Sequence, residues 1–239
     1  MKNQKIGLLI PAYNEFANLE IILPKVNSCL KKYFKDYETY TLVVDKVIMD
    51  LNTKDLCNKN KTVYINRKPS NSFGDAIRTG IKYYSKSNFR PDWLIIMDAD
   101  GSHDPEFFKF FEKELTNNTG VLIASRYING GDSSNNLILK LMSKFVNFIY
   151  RVTFNLPIKD VSNNYKLYDF NKLNSLKLVE NNFEIVEEII IKLINSDKDL
   201  LIKELPFYFN ERLHGKSKRN LITFSLTYLN SILRLKRNT

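Results

Sequence analysis

The sequence has only two cysteines, Cys29 and Cys57. They belong to no metal-binding or redox motif, so we expect reduced, structural thiols and folding in the cytoplasm. The apolar run near the N-terminus, residues 6–10, is too short for a signal peptide. No segment supplies the ~20 apolar residues that a membrane-spanning helix needs. These absences predict a cytoplasmic protein whose contact with a membrane is peripheral.

Acidic residues are also in deficit. The 239 residues include 26 Asp and Glu against 36 Lys and Arg, which gives a formal net charge of +10. Such a balance favours an acidic partner: nucleic acid, an anionic membrane or a phosphorylated substrate. Nucleic acid is the weaker alternative, because the basic residues are spread along the chain and form no known binding motif. A dehydrogenase is disfavoured as well, since no Gly-x-Gly-x-x-Gly follows the first predicted strand.

Short apolar runs alternate with stretches of helical periodicity over the first half of the chain. This alternation predicts an α/β fold with a mostly parallel central sheet and helices on both faces. The predicted strands are residues 6–10, 40–44, 62–65, 93–97, 121–124 and 200–209. The predicted helices are residues 16–33, 73–84, 105–115, 137–154 and 221–235.

Two aspartates, Asp98 and Asp100, directly follow the apolar strand 93–97. In open α/β sheets, ligands bind outside the carboxyl ends of the strands. Magnesium and manganese prefer hard oxygen ligands, usually one or two carboxylates together with substrate phosphates. The pattern therefore predicts a metal-dependent enzyme that acts on a nucleotide diphosphate.

Five separated segments together resemble the family 2 glycosyltransferases, in particular the dolichol-phosphate mannose synthase branch. They occur in the order that the family has and span nearly the whole chain. The segments are Ile10–Glu15, Asp98–Asp100 with Asp104–Pro105, Ser125–Tyr127 with Gly130–Gly131, Asp160–Tyr168 and Glu211–Lys218.

The resemblance implies a glycosyltransferase-A (Rossmann-like) single domain over residues 1–219. Its nucleotide-sugar half would be about 1–125 and its acceptor half about 126–219. Residues 220–239 would form a basic amphipathic helix that either lies on an anionic membrane surface or packs on the domain. The implied activity is metal-dependent, inverting transfer of a hexose from a nucleotide diphosphate sugar to a polyprenyl (dolichyl or undecaprenyl) phosphate at the cytoplasmic membrane surface.

The resemblance also implies site residues on the donor side. Asp98 and Asp100 would bind Mg²⁺ or Mn²⁺ and the diphosphate, with Asp98 also contacting the nucleotide sugar and Asp100 counted as catalytic. Ser102 would be a third metal oxygen, at a position where relatives often have glutamine. The residues implied to border the nucleoside are Pro11, Tyr13, Glu15 and Asp45.

On the acceptor side, the resemblance implies a set of residues that bind the acceptor phosphate, of which Arg126 is also counted as catalytic. A lipid phosphate is already anionic and nucleophilic near neutral pH. The enzyme therefore needs cations that hold it against the donor more than it needs a general base. The implied acceptor-phosphate residues are Arg126, Lys140, Ser143, Arg212 and Lys218.

The sequence departs from the family pattern after the second strand, where Asp45 is followed by Lys46 rather than a second aspartate. The alternative register, Asp50–Thr53, lacks a second aspartate too. The identity of the nucleotide base is therefore left open. A degenerate, inactive protein is an alternative that also stays open. Lys140 and Lys166 stand where relatives often have arginine, which keeps the charge but loses bidentate geometry.

One rival enzyme stays open: a family 2 transferase that extends a surface polysaccharide or lipid-linked glycan at a hydroxyl acceptor. That reaction needs a general base, for which Glu184, Glu187 and Glu188 are candidates. An integral-membrane partner is left open as well. His103, beside the metal motif, is predicted to be a hydrogen-bonded loop histidine rather than a ligand.

Overall fold

The computed structural model describes residues 4–215 and 231–237. Its centre is a seven-stranded sheet in the order β3-β2-β1-β4-β7-β5-β8. The strands of this sheet are β1 Lys5–Pro11, β2 Glu38–Asp45, β3 Val63–Asn66, β4 Trp93–Ile96, β5 Val121–Ser125, β7 Lys166–Asp169 and β8 Ile202–Pro206. A separate short pair joins β6 Asp132–Ser133 to β9 Tyr208–Phe209 in parallel.

Helices cover both faces of the sheet, as predicted. They are α1 Phe16–Tyr33, α2 Leu51–Lys59, α3 Phe73–Lys86, α4 Phe108–Glu114, α5 Leu137–Phe154, α6 Phe170–Asn174 and α7 Ile185–Ser196. Alternate residues of each strand point to opposite faces, so the sheet has two cores. Leu9 and Leu42 belong to the core with α3 and α7, whereas Leu8 and Val43 belong to the core with α1 and α4.

Every pairing in the sheet is parallel except those of β7, which runs antiparallel to both β4 and β5. In this register Lys166, at the start of β7, faces Ile96 near the end of β4 and Ile123 of β5. The segment 160–165 that precedes β7 is therefore brought to the same sheet edge as the residues that follow β1, β4 and β5. That edge is where ligands bind in such sheets.

The predicted elements agree with the structure closely where the periodicity is long. The helices predicted at 16–33 and 137–154 have those bounds in the structure. The helix predicted at 105–115 begins as a 3-10 turn, Pro105–Phe107, before α4. The strand predicted at 200–209 is two strands, β8 and β9, because the chain leaves the large sheet at Phe207.

Helix α2 was not predicted, and it begins in the segment where the sequence departs from the family pattern. Asp50 accepts a hydrogen bond from the backbone N–H of Thr53 (3.2 Å) and so caps α2. The alternative register for nucleoside recognition, Asp50–Thr53, is thus the beginning of a helix. Cys57 of α2 and Cys29 of α1 are buried free thiols, as expected.

The predicted C-terminal helix at 220–239 falls mostly on residues outside the described part of the chain, except for 231–237, which are helical. The hydroxyl groups of Ser231 and Tyr150 lie 2.7 Å apart in a buried contact, and Arg234 pairs with Glu180 (2.6 Å). Leu235 is fully buried. This stretch therefore packs on the domain. Among the described residues, no helix has the length and apolar character needed to cross a membrane.

Candidate active site

A cavity of about 950 Å³ lies at the carboxyl edge of the sheet and brings together most of the predicted site residues. Within the described part of the chain, its lining includes neither Asp45 nor Lys140, and Lys218 lies outside the described residues. The predicted residues that line it are Pro11, Tyr13, Glu15, Asp98, Asp100, Ser102, Arg126, Ser143 and Arg212.

Asp100 is held from both sides. Its Oδ1 accepts hydrogen bonds from the backbone N–H (3.0 Å) and hydroxyl (2.5 Å) of Ser102, and its Oδ2 accepts one from Arg212 Nη2 (2.7 Å). Burial alone would raise the pKa of Asp100, but the Ser102 hydrogen bonds and the Arg212 guanidinium hold it below its usual value. Asp100 is therefore a carboxylate at neutral pH.

The segment 210–215 lies directly over this aspartate turn. The backbone N–H of Leu213 donates to the carbonyl of Asp100 (2.9 Å), and the N–H of Asn210 donates to the carbonyl of Ser102 (3.1 Å). Gly101 has a φ of +85° and sits beneath the Leu213 side chain, where a Cβ would come within 2.5 Å of Leu213 Cγ. Glycine is needed at 101 both for the backbone angle and for this close approach.

Asp98 is fixed by groups that the sequence did not single out as site residues. Its Oδ1 accepts a hydrogen bond from Asn164 Nδ2 (2.9 Å), and its backbone N–H donates to His103 Nδ1 (3.0 Å). His103 is fully buried, and this burial lowers its pKa. The prediction that His103 is a hydrogen-bonded loop histidine is consistent with these contacts.

The oxygen atoms at this turn suit a hard divalent cation that shares its coordination with a ligand. Asp98 and Asp100 supply two carboxylates, and the described residues contain no group of three His, Cys, Asp or Glu side chains that could hold a metal alone. Such a donor set fits Mg²⁺ or Mn²⁺, which take one or two carboxylates plus phosphate oxygens and water. Ser102 donates its hydroxyl to Asp100 and is 1% exposed, so in this arrangement it orients Asp100.

A buried arginine, Arg67, lines the cavity, whereas Asp45, which the sequence assigned to it, does not. The Arg67 guanidinium donates to the carbonyls of Asp45 (3.1 Å), Ser72 (3.0 Å) and Ala12, and lies 5.7 Å from the centre of the Tyr13 ring. Arg67 directly follows β3, an edge strand of the sheet, and the sequence pattern did not single it out.

Asp45 itself is covered by its neighbours. It is 1% exposed, its Oδ2 accepts a hydrogen bond from the Tyr64 hydroxyl (3.2 Å), and burial raises its pKa. Glu15 lies nearer the cavity, where its Oε2 accepts a hydrogen bond from Asn18 Nδ2 (2.5 Å). Of these two carboxylates, only Glu15 lines the cavity.

On the acceptor side, Arg126 is anchored by a buried carboxylate. Its Nε and Nη2 donate to the two oxygens of Asp160 (2.8 and 2.7 Å), and Nη2 also donates to Ser162 Oγ (3.0 Å). Burial would raise the pKa of Asp160, but the charge and hydrogen bonds of Arg126 hold it below its usual value. Bidentate pairing fixes the guanidinium plane at the cavity wall.

Lys166 supports the same loop from below. Its Nζ donates to the carbonyls of Val161 (2.9 Å) and Asn163, and the side chain is fully buried. This burial lowers the pKa of Lys166 to about 8, against the opposing charge of Asp160. Lysine at this position therefore stabilises the loop 160–164 and does not reach the cavity surface.

Two of the predicted acceptor residues, Lys140 and Ser143, lie on α5. Ser143 lines the cavity, whereas Lys140 pairs with Asp132 (2.8 Å) outside it. The same helix supplies an apolar wall. That wall consists of Leu139, Met142 and Val146 of α5 together with Phe183 and Val186.

The three glutamates considered as a general base lie near the N-terminal end of α7. All three are buried, and within the described part of the chain none of them lines the cavity. Glu188 accepts hydrogen bonds from the backbone N–H groups of Val179 and Glu180 and from Lys192. In this arrangement Glu188 holds the segment before α7 in place. The three glutamates are Glu184, Glu187 and Glu188.

Comparison with known proteins agrees with this architecture. Residues 8–176 match the family described as Glycosyl transferase family 2. The chain is 30% identical over 241 residues to a dolichol-phosphate mannosyltransferase of Pyrococcus furiosus, covering 98% of this chain and 64% of that relative. It is 27% identical over 226 residues to a polyprenol monophosphomannose synthase of Mycolicibacterium smegmatis, covering 90% of this chain and 81% of that relative.

A solved structure with the same fold is glucosyl-3-phosphoglycerate synthase from Mycobacterium tuberculosis, in complex with Mn²⁺, uridine diphosphate and glucosyl-3-phosphoglycerate. The TM-score is 0.69 at 13% sequence identity, over 97% of this chain and 80% of that chain. Another crystal structure of the same enzyme contains Mg²⁺ and uridine diphosphate, with a TM-score of 0.69. At this identity the likeness establishes the fold, which is the predicted glycosyltransferase-A fold.

Proposed function

This chain belongs to glycosyl transferase family 2, and from that premise we propose that it transfers a hexose from a nucleotide diphosphate sugar to a polyprenyl phosphate. One observation carries the proposal: a single cavity holds the carboxylates Asp98 and Asp100 beside the guanidinium groups of Arg126 and Arg212. The two curated relatives are named for mannosyl transfer to dolichol phosphate and for polyprenol monophosphomannose synthesis. The chain spans 64% of the length of the first of these relatives.

The donor half of the proposal rests on the carboxylate pair. Asp98 and Asp100 would hold Mg²⁺ or Mn²⁺ against the diphosphate, and the ion would neutralise charge that develops on the leaving diphosphate. Tyr13 and Glu15 would border the nucleoside, with Arg67 beneath the Tyr13 ring. Their positions in one continuous cavity with the carboxylates support this assignment.

The acceptor half rests on the arginines and on the position of the three candidate bases, Glu184, Glu187 and Glu188, none of which lines the cavity within the described part of the chain. In the proposed reaction, an oxygen of the acceptor phosphate forms a bond to the anomeric carbon from the side opposite the diphosphate, whose bond to that carbon breaks. The configuration is therefore inverted. Arg126, held rigid by Asp160, and Arg212 would hold the acceptor phosphate in line for this attack. A phosphate oxygen that is already ionised needs no general base to remove a hydroxyl proton. The three buried glutamates, which lie behind the described cavity wall, are therefore not needed as a base.

An exposed apolar stripe on α5 supports contact with a membrane surface. After Leu137, its members from Ile138 onward are three or four residues apart, which places them on one face of the helix. Basic side chains of the same helix, Lys140, Lys144 and Arg151, would meet anionic lipid headgroups. The stripe consists of Leu137, Ile138, Leu141, Phe145, Phe148 and Val152, all of which are more than half exposed. We propose peripheral association with the cytoplasmic membrane surface through this stripe.

The test is sugar transfer from labelled GDP-mannose, UDP-glucose and UDP-N-acetylglucosamine to a polyprenyl phosphate, with and without Mn²⁺. We expect label to enter the organic phase with one donor, only when metal is present, and to be lost in Asp100→Asn. Asp104→Asn is the matched control, because Asp104 caps the 3-10 turn and pairs with Lys25 (2.8 Å) at the surface. Transfer to a hydroxyl acceptor but not to the phosphate would favour the rival enzyme. Full activity of Asp100→Asn would remove the proposed role of the carboxylate pair.

A further inference from the structure

The ring of His103 lies behind the aspartate turn in a single defined orientation. Its Nδ1 accepts a hydrogen bond from the backbone N–H of Asp98 (3.0 Å), so Nδ1 carries no proton. Nε2 therefore carries the proton of the neutral ring and donates to Asn163 Oδ1 (3.1 Å). The ring stacks on Tyr165 with centroids 4.8 Å apart and planes 10° apart. Both the tautomer and the rotation of this ring are fixed.

Asn163 connects the His103 ring by hydrogen bonds to the acceptor side of the site. Its Nδ2 donates to the carbonyl of Ala124 at the end of β5 (2.5 Å), and its backbone N–H donates to Asp160 Oδ1 (3.2 Å). Asp160 is the carboxylate that anchors Arg126. His103 thus links the end of β4, where the metal carboxylates begin, to the loop that orients the acceptor arginine.

Asn164 fixes the carboxylate of Asp98 directly. Because a carboxylate only accepts hydrogen bonds, the amide nitrogen of Asn164 must be the atom that faces Asp98 Oδ1, at 2.9 Å. Asn164 is 6% exposed and lines the large cavity. One oxygen of Asp98 is engaged in this way, and the other, Oδ2, lies 3.8 Å from His103 Nε2.

We infer that His103 and Asn164 are positioning residues. His103 holds the main chain of Asp98 in place, and Asn164 determines which carboxylate oxygen of Asp98 faces the metal–diphosphate site. The inference rests on the proposed function, because it concerns the metal that Asp98 and Asp100 would hold. Both residues are neutral partners of a carboxylate ligand rather than ligands themselves. Groups in that place orient the ligand, and their removal typically costs 10- to 100-fold in metal affinity or activity.

The experiment separates the two hydrogen bonds of His103 with two variants of similar polarity. In His103→Asn, the side-chain oxygen can reach the place of Nδ1 and accept from the Asp98 N–H. In His103→Gln, the amide can reach the place of Nε2 and contact Asn163, but the Asp98 N–H loses its acceptor. Mn²⁺ binding in the presence of GDP or UDP is measured by electron paramagnetic resonance. The kinetic constants kcat and KM are measured separately.

We expect His103→Gln to weaken Mn²⁺ binding roughly 10- to 100-fold and His103→Asn to retain most of the affinity. Asn164→Ala should weaken it in the same direction with little change in thermal stability, because Asn164 sits at the cavity wall. Tyr165→Phe is the control: it loses the hydrogen bond from the Tyr165 hydroxyl to the carbonyl of Asp104 (3.0 Å) and keeps the ring stack. Its Mn²⁺ affinity should equal that of the wild type.

The inference is overturned if His103→Asn and His103→Gln lose affinity equally, in proportion to their loss of thermal stability. It is overturned as well if Asn164→Ala binds Mn²⁺ with the wild-type affinity. If His103→Gln does not fold, Asn164→Ala decides the question by itself. A wild-type protein that binds neither nucleotide with Mn²⁺ would instead refute the proposed function, so the two failures are distinguishable.

Discussion

Asp160→Asn is the substitution for which the structure gives the sharpest stability prediction. Asp160 is fully buried and accepts four hydrogen bonds: three from Arg126, through its backbone N–H, Nε and Nη2, and one from the backbone N–H of Asn163. An asparagine keeps the shape of the side chain. However, the amide nitrogen of asparagine cannot accept hydrogen bonds. The substitution also removes the negative charge that compensates the Arg126 guanidinium.

The expected loss in the free energy of unfolding follows from leaving the largely buried Arg126 guanidinium without its carboxylate partner. Breaking a buried ion pair from one side costs about 3–5 kcal/mol. Arg126 keeps its hydrogen bond to Ser162, and its side chain is 9% exposed, so we expect the lower end, about 3 kcal/mol. For a domain of this size, 1 kcal/mol corresponds to roughly 2–4 °C in Tm, which gives a fall of roughly 6–12 °C.

The assay is urea unfolding of the wild type and the variant between pH 8 and pH 4. The folded-state pKa of Asp160 is lowered, so its contribution is fully present above the unfolded-state pKa of about 3.9 and is lost only as pH falls through the folded value. The difference between the two proteins should therefore stay constant from pH 8 to pH 5. Asp104→Asn, at an exposed pair with Lys25, should cost less than about 1 kcal/mol.

Two results would refute this reasoning. A loss below about 1 kcal/mol for Asp160→Asn would mean that the buried pair contributes no more than a surface pair. A difference that changes between pH 8 and pH 5 would mean that the folded-state pKa of Asp160 is raised above its ordinary value rather than lowered. In either case, the rigid anchoring of Arg126 at the cavity wall would have to be abandoned.

Three further predictions concern separate parts of the molecule. Burial raises the pKa of Cys29 and of Cys57 to about 12, so at pH 8 both thiols should react with a disulfide reagent only when the protein unfolds; stoichiometric labelling of the native protein at the rate of a free thiol would contradict this. Arg126→Ala should raise the KM for the polyprenyl phosphate by roughly tenfold or more, since it removes a charge-assisted contact, and should change the KM for the donor less; equal changes would count against its assignment to the acceptor. Replacing Leu141 and Phe145 together by Asn should abolish binding to anionic vesicles in a flotation assay with an unchanged Tm, because both side chains are more than half exposed; undiminished flotation would show that the α5 stripe is not the contact surface.

Much of the fold could be predicted because its pattern is local. Helices α1 and α5 have the predicted bounds, since 18 residues give five turns in which the apolar spacing repeats. The buried strand before Asp98 was identifiable for the same reason. Helix α2 was missed because its nine residues bury only Thr53 and Cys57, so it has almost no apolar period to read.

The candidate site was predictable only in part. Asp98 and Asp100 follow a strand, and the carboxyl end of a parallel strand has a fixed place in this kind of fold. Asp45 is likewise at a strand end, as the last residue of β2, yet it is covered by Tyr64 and burial has raised its pKa. Arg67 lines the cavity in its place. Which of two such residues faces a ligand depends on packing between segments, which a strand-end pattern does not encode.

The sequence by itself determined the long helices, the parallel strands, their order and the aspartate pair at one strand end, because hydrophobic period and strand boundaries are properties of neighbouring residues. The tertiary structure alone decided the pairings of Asp100 with Arg212, of Arg126 with Asp160 and of His103 with Asn163, whose partners lie 112, 34 and 60 residues apart. The last two of these pairs exist because β7 enters the sheet antiparallel between β4 and β5, which brings the segment before it to this edge. The place of that strand is set by the packing of the whole sheet rather than by any local pattern.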